Sequence, residues 1–132
     1  MKRVLVDTNI IIDFLRRKDK KNSIFYKVFY KEKNKPIISL TTITELWAGK
    51  SIEKKESLKF IEGLVKNCEI FLPSLKTAKL AGKILRQTNY QIPFQDAQIA
   101  SLTLENNLPL LTLDKKDFKR IKGIKHFQPK TD

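Results

Sequence analysis

The chain has 132 residues, 41% apolar and 31% charged, with 27 Lys and Arg set against 14 Asp and Glu for a formal charge of +13. That size and balance suit one globular domain over residues 1–132 with a sizeable core, and no apolar run approaches the ~20 residues that span a bilayer. The basic surplus suits a polyanionic partner, but 22 of the 27 bases are Lys, beside 15 Ile and seven Asn, so a biased genome explains the charge equally well.

Lys2 and Arg3 ahead of "VLV" loosely mimic a secretory leader. Asp7 and Asp13 interrupt that run and no small-residue cleavage site follows, so a cytoplasmic protein is expected. "RVLV" (3–6) reads as a buried strand and "TNIIIDFLRR" (8–17) as the helix after it. "NSIFYKVFYKE" (22–32) is a second helix with Asn22 as its N-cap, because Ile24, Phe25, Val28 and Phe29 repeat at helical spacing. Pro36 opens the strand "IISL" (37–40), which leads into the helix "TTITELWAG" (41–49).

The run 51–67 carries Leu58, Ile61, Leu64 and Val65 on one side, and "EIF" (69–71) is a weak third strand after Cys68, a lone cysteine that excludes an internal disulfide. Ser74 caps a helix striped by Ala78, Ala81 and Leu85. Phe60, Leu64, Ala78 and Leu85 suit either an interface or the core, and Trp47 either a binding anchor or packing beside its own helix. A helix at 95–106, the strand "PLLTL" (109–113), a short helical turn and a final strand near 124–127, which contains the sole histidine, His126, complete the chain. Strands alternating with helices predict an α/β sandwich around a mostly parallel sheet covered on both faces. Ligands of such sheets bind beyond the carboxyl ends of the strands.

Four acids fall near those ends. Asp7 directly follows the first strand, Glu45 lies in the helix leaving the second, Asp96 opens the helix before the last main strand, and Asp114 directly follows that strand. Asp96 shares a helical face with Ile99, Ala100 and Thr103, and Asp117 lies one turn past Asp114. Taken singly, most of these acids suit helix caps worth ~1 kcal/mol. Jointly they suit a hard divalent cation, because crowded carboxylates repel one another until a cation neutralises them. Thr8, Asn9 and Thr112 offer groups that could orient the carboxylates. No Gly-rich phosphate loop competes, since four glycines lie scattered along the chain.

With these residues in view, the chain resembles a PIN-domain ribonuclease of the VapC type, the toxin of a toxin–antitoxin pair. "VLVDTNIIIDFL" resembles the opening Asp-Thr-Asn motif of the family, "LTTITELWAGK" its glutamate segment, and "IPFQDAQIASLTLENNLPLLTLDKKDF" its third and fourth acidic segments. The resemblance implies a three-layer α/β/α sandwich with a four- or five-stranded sheet. It implies metal-binding and catalytic roles for Asp7, Glu45, Asp96 and Asp114, with Asp117 as a further metal ligand and Asn9 in support. It also implies Mg²⁺- or Mn²⁺-dependent endoribonuclease activity on tRNA or rRNA, a homodimer, and inhibition by a VapB-like antitoxin.

Two rival readings make different demands. A non-catalytic PIN fold that binds RNA or a protein partner would not need all four acids. A phosphatase of the haloacid-dehalogenase type wants an acid two residues after Asp7, where this chain has Asn9.

Overall fold

A computed structural model describes residues 1–130; the last two positions of the expected domain lie outside the described residues. Four parallel strands form one sheet in the order β3-β2-β1-β4. They are β1 (Arg3–Val6), β2 (Lys35–Ser39), β3 (Glu69–Phe71) and β4 (Leu110–Leu111). The main helices are α1 (Thr8–Arg16), α2 (Ile24–Tyr26), α3 (Leu40–Ala48), α4 (Lys55–Lys66), α5 (Leu75–Gln87), α6 (Phe94–Asn106) and α7 (Lys115–Phe118). Among the described residues no helix is long and apolar enough to cross a membrane.

Side chains alternate across the pleat, and that alternation builds two cores. Val4, Val6, Ile38 and Leu111 face the layer that contains α1, α2 and α4. Leu5, Ile37 and Leu110 face the layer of α5, α6 and α7. The three-layer sandwich therefore follows from strands that are apolar on both faces.

Several local expectations shift. The helix expected at 22–32 is capped by Ser23, whose buried hydroxyl accepts from the Tyr26 N–H at 3.1 Å. Asn22 instead lies in a 3₁₀ turn and donates to Asp19. After one α-turn this helix widens into a π turn (Lys27–Lys31), with Glu32 N–H donating to the Lys27 carbonyl. The expected helix 51–67 begins as a 3₁₀ turn (Lys50–Glu53), because extended Lys54 separates it from α4.

The stripe of α5 is Thr77, Ala81, Ile84 and Leu85; Ala78 is exposed. Leu64 and Leu85 belong to the core, whereas Phe60, against the Phe14 ring, and Trp47 are both partly exposed. The final strand shrinks to one parallel bridge between Leu110 and His126. Cys68 packs beside the core and donates to the Leu64 carbonyl, and burial pushes its thiol up to about 12, which makes it inert.

Lys20 closes the C-terminal end of α1. Its ammonium donates to the carbonyls of Phe14 at 3.0 Å, Leu15 at 3.0 Å and Arg17 at 3.2 Å. It also lies over the Phe14 and Phe60 rings, 5.5 and 5.2 Å from their centroids. These carbonyls have no partner within the helix, and a cation there also opposes the negative end of the helix dipole. Lys20→Ala is expected to lower the unfolding free energy by about 1–2 kcal/mol, and exposed Lys21→Ala by less than about 0.5 kcal/mol. Urea denaturation of both variants checks this; equal small losses would contradict it.

Candidate active site

Parallel strands place their carboxyl ends along one edge, and the strand order reverses direction around β1. The crevice between β1 and β4 is thus the favoured ligand position of such a sheet. Asp7 enters it directly. Its N–H continues the ladder to the Leu111 carbonyl at 2.9 Å, and its side chain turns to cap α1, with Oδ1 accepting from the Thr8 N–H at 2.8 Å. Capping accounts for one oxygen only.

The other oxygen, Oδ2, accepts from the Thr112 hydroxyl at 2.6 Å, just past β4. That hydroxyl also accepts from the Asp114 N–H at 2.9 Å and the Asn9 amide at 3.4 Å, which uses its full hydrogen-bonding capacity. Asn9 Oδ1 accepts from the Leu113 N–H at 3.2 Å. Asn9 is therefore a clamp between the exits of β1 and β4.

Glu45 arrives from α3. The Thr8 hydroxyl donates to its Oε1 at 2.7 Å and shares a 2.9 Å hydrogen bond with the hydroxyl of fully buried Thr42. Ser39 caps α3, accepting from the Thr42 N–H at 3.1 Å. Sequence reasoning missed Thr42 and Ser39. Thr42 lies three residues before Glu45 on one helical face, which was the available signal.

Asp96 sits in the first turn of α6, on the half-buried side of a helix that buries Ala97, Ile99 and Ala100. Carboxylate oxygens of Asp96, Asp114 and Asp117 lie within 4.8 Å of one another. Asp114 caps α7, accepting from the Asp117 N–H at 3.4 Å, so the last two acids come as a pair. Both stand beside Asp96.

The electrostatics report the crowding. Burial, and then repulsion from Asp7, Asp114, Asp117 and Glu45, pushes the Asp96 carboxyl up to about 7. Asp7 is also raised, mainly by burial, against the lowering effect of its bonds from Thr112 and Thr8. Partial desolvation and the neighbouring Asp114 hold Asp117 above the usual carboxylate range. Hard oxygen donors that repel one another fit a hard divalent cation. Asp96, Asp114 and Asp117 form the close group and the charges of Asp7 and Glu45 act on Asp96, while Thr8 and Thr112 bond to the acids and Asn9 reaches them through Thr112.

An α/β/α sandwich with an acidic notch at the carboxyl edge of a parallel sheet is the class of protein so defined. The sequence profile of the PIN domain matches residues 4–124, and the chain belongs to the PIN domain family. Its fold is similar to that of DNA-bound VapBC from Salmonella typhimurium, with TM-score 0.80, 23% identity, and coverage of 96% of this chain and 98% of that one. VapBC2 from Rickettsia felis, bound to a promoter DNA fragment, gives 0.75, 24%, 95% and 97% in the same order. A toxin–antitoxin complex from Klebsiella pneumoniae gives 0.72, 25%, 98% and 99%. No curated protein matches the chain.

Because the folded-state value of Asp96 lies above its unfolded value of 3.8, the folded state binds the proton more tightly. Stability from this group is therefore full below pH 4 and is lost as pH rises through about 7. In EDTA at pH 8, Asp96→Asn is expected to raise the melting temperature by about 3–6 °C, a gain that disappears near pH 4. Thermal melts across pH check this, and a destabilised Asp96→Asn at pH 8 would contradict it.

Proposed function

We propose that this chain is a divalent-cation-dependent endoribonuclease that hydrolyses phosphodiester bonds of single-stranded or structured RNA, and that it is the toxin of a VapBC-type pair. The observation that carries the reading is the convergence of Asp7, Glu45, Asp114 and Asp117 on Asp96 at the sheet edge. The PIN domain match supports nuclease chemistry. Solved structures of similar fold that are toxin–antitoxin complexes support a VapB-like antitoxin as partner. The remaining parts of the proposal are one domain over residues 1–132, a homodimer, a cytoplasmic site of action, and tRNA or rRNA as substrate.

In this reading Asp7, Glu45, Asp96 and Asp114 are the catalytic acids, and Asp117 is a further ligand for Mg²⁺ or Mn²⁺. The chemistry expected of such a cation is Lewis-acid stabilisation of charge on phosphoryl oxygens and acidification of water. The chain's own residues do the positioning. Thr112 and the Thr8 N–H hold both oxygens of Asp7, so its carboxylate has one orientation. The Thr8 hydroxyl fixes Glu45, and Asn9 keeps the β1 and β4 exits together. Fixed acids need no rearrangement as charge develops, which is the source of electrostatic catalysis. The lysine-rich surface draws an RNA strand in over about 10 Å at ordinary salt.

The test uses the purified chain, a mixed tRNA and rRNA substrate, and Mg²⁺ or Mn²⁺. Cutting is expected to stop in EDTA and to fall by at least about 100-fold in Asp7→Asn and in Asp96→Asn. Cutting that survives EDTA or both substitutions would overturn the reading. RNA bound but uncut in either cation would leave a non-catalytic PIN fold.

A further inference from the structure

A cleft of about 470 Å³ lies between α5, the C-terminal end of α6 and the turn after α7. Leu80 and Leu104 supply an apolar part of its wall, Lys83, Arg120 and Lys122 also line it, and among the described residues no acid does. Lysine makes up one residue in six of this chain, so two lysines alone would mark nothing. Three further features single the cleft out.

First, its volume falls within the roughly 300–1,000 Å³ of pockets that hold small molecules, a range that includes a nucleotide. Second, it combines an apolar wall with the Gln87 amide, which is able to hydrogen-bond a base edge, and a cationic rim for phosphate. Third, it adjoins the acidic notch through one residue. The Arg120 N–H donates to the Asp117 carbonyl at 3.2 Å, its charge lowers the Asp117 carboxyl, and its guanidinium donates to Gln91 at 2.7 Å in the loop that leads to α6. Arg120 is also one of only five arginines, and a guanidinium keeps spare donors for phosphate when one is engaged.

We infer that this cleft is a nucleotide subsite of the RNA track, holding a base and phosphate of the strand whose scissile bond lies at the acids. The inference rests on the RNA-cleaving reading. Lys83 and Lys122 contact phosphate, Leu80 and Leu104 receive the base, and Arg120 links subsite and acids. Lys83, Arg120 and Lys122 are exposed, so changing them leaves the core intact.

A fluorescein-labelled single-stranded RNA of mixed sequence, titrated with the chain in EDTA while anisotropy is read, tests the subsite without cleavage. Lys83→Glu with Lys122→Glu is expected to weaken binding at least about tenfold and to reduce the slope of log affinity against log salt by about 1.4. Lys59→Glu with Lys66→Glu makes the same change in net charge on α4, in the opposite layer, and is expected to weaken binding by less than about threefold. Equal losses in the two pairs would overturn the subsite, because the effect would then be net charge alone. Failure of the two readings is distinguishable: RNA held at the cleft but never cut sinks the nuclease, and RNA cut by a chain whose cleft pair binds like the control sinks the subsite.

Discussion

Carboxylates of like charge repel, and five of them meet at one end of this sheet. Burial first, and then the charges of the other four acids, raise the Asp96 carboxyl to about 7. A lone helix cap has no use for such neighbours. The cluster persists because hydroxyls and an amide from three strand exits restrain the acids: Thr112 on Asp7, Thr8 and Thr42 around Glu45, and Asn9 across to Leu113. These bonds are short-range and directional, whereas the repulsion is spread over the notch. The fold holds them in place.

The hold comes from the sheet. Alternation in β1 sends Val4 and Val6 to one core and Leu5 to the other, so both faces must be covered and the strands are joined in parallel through helices. Parallel joining then brings the exits of β1, β2 and β4 to one edge. The hydrophobic cores therefore fix where the acids stand, and the local hydroxyls fix how they point. Lys20 shows the division of labour elsewhere, since its one cation closes α1 far from any acid of the notch.

The strands, most of the buried helix positions and the position of the acids near strand exits were legible in the sequence, because continuous apolar runs and 3.6-residue spacing report burial directly and so mark where strands end. What was less legible depended on competition between neighbouring polar groups. Asn22 and Ser23 are both good caps, and only burial of Ser23 beside the core decides between them. β4 stops at Leu111 rather than at 113 because the site takes the next groups: the Thr112 hydroxyl turns to Asp7 and the Leu113 N–H turns to Asn9. Thr42 was hidden among the hydroxyl residues of "LTTITE", where only the helical offset from Glu45 distinguishes it. The turn that pairs Asp114 with Asp117 is legible in the sequence, whereas the approach of both to Asp96 on α6 is a long-range contact that no local pattern reports.

Direct titration of the metal-free chain with Mn²⁺ at pH 7.5, followed by the loss of the free-ion EPR signal, addresses the acidic notch most directly. One or two ions per chain are expected to bind saturably, with binding lost in Asp96→Asn. A wild-type titration that matches Asp96→Asn would show that these carboxylates do not form a cation site.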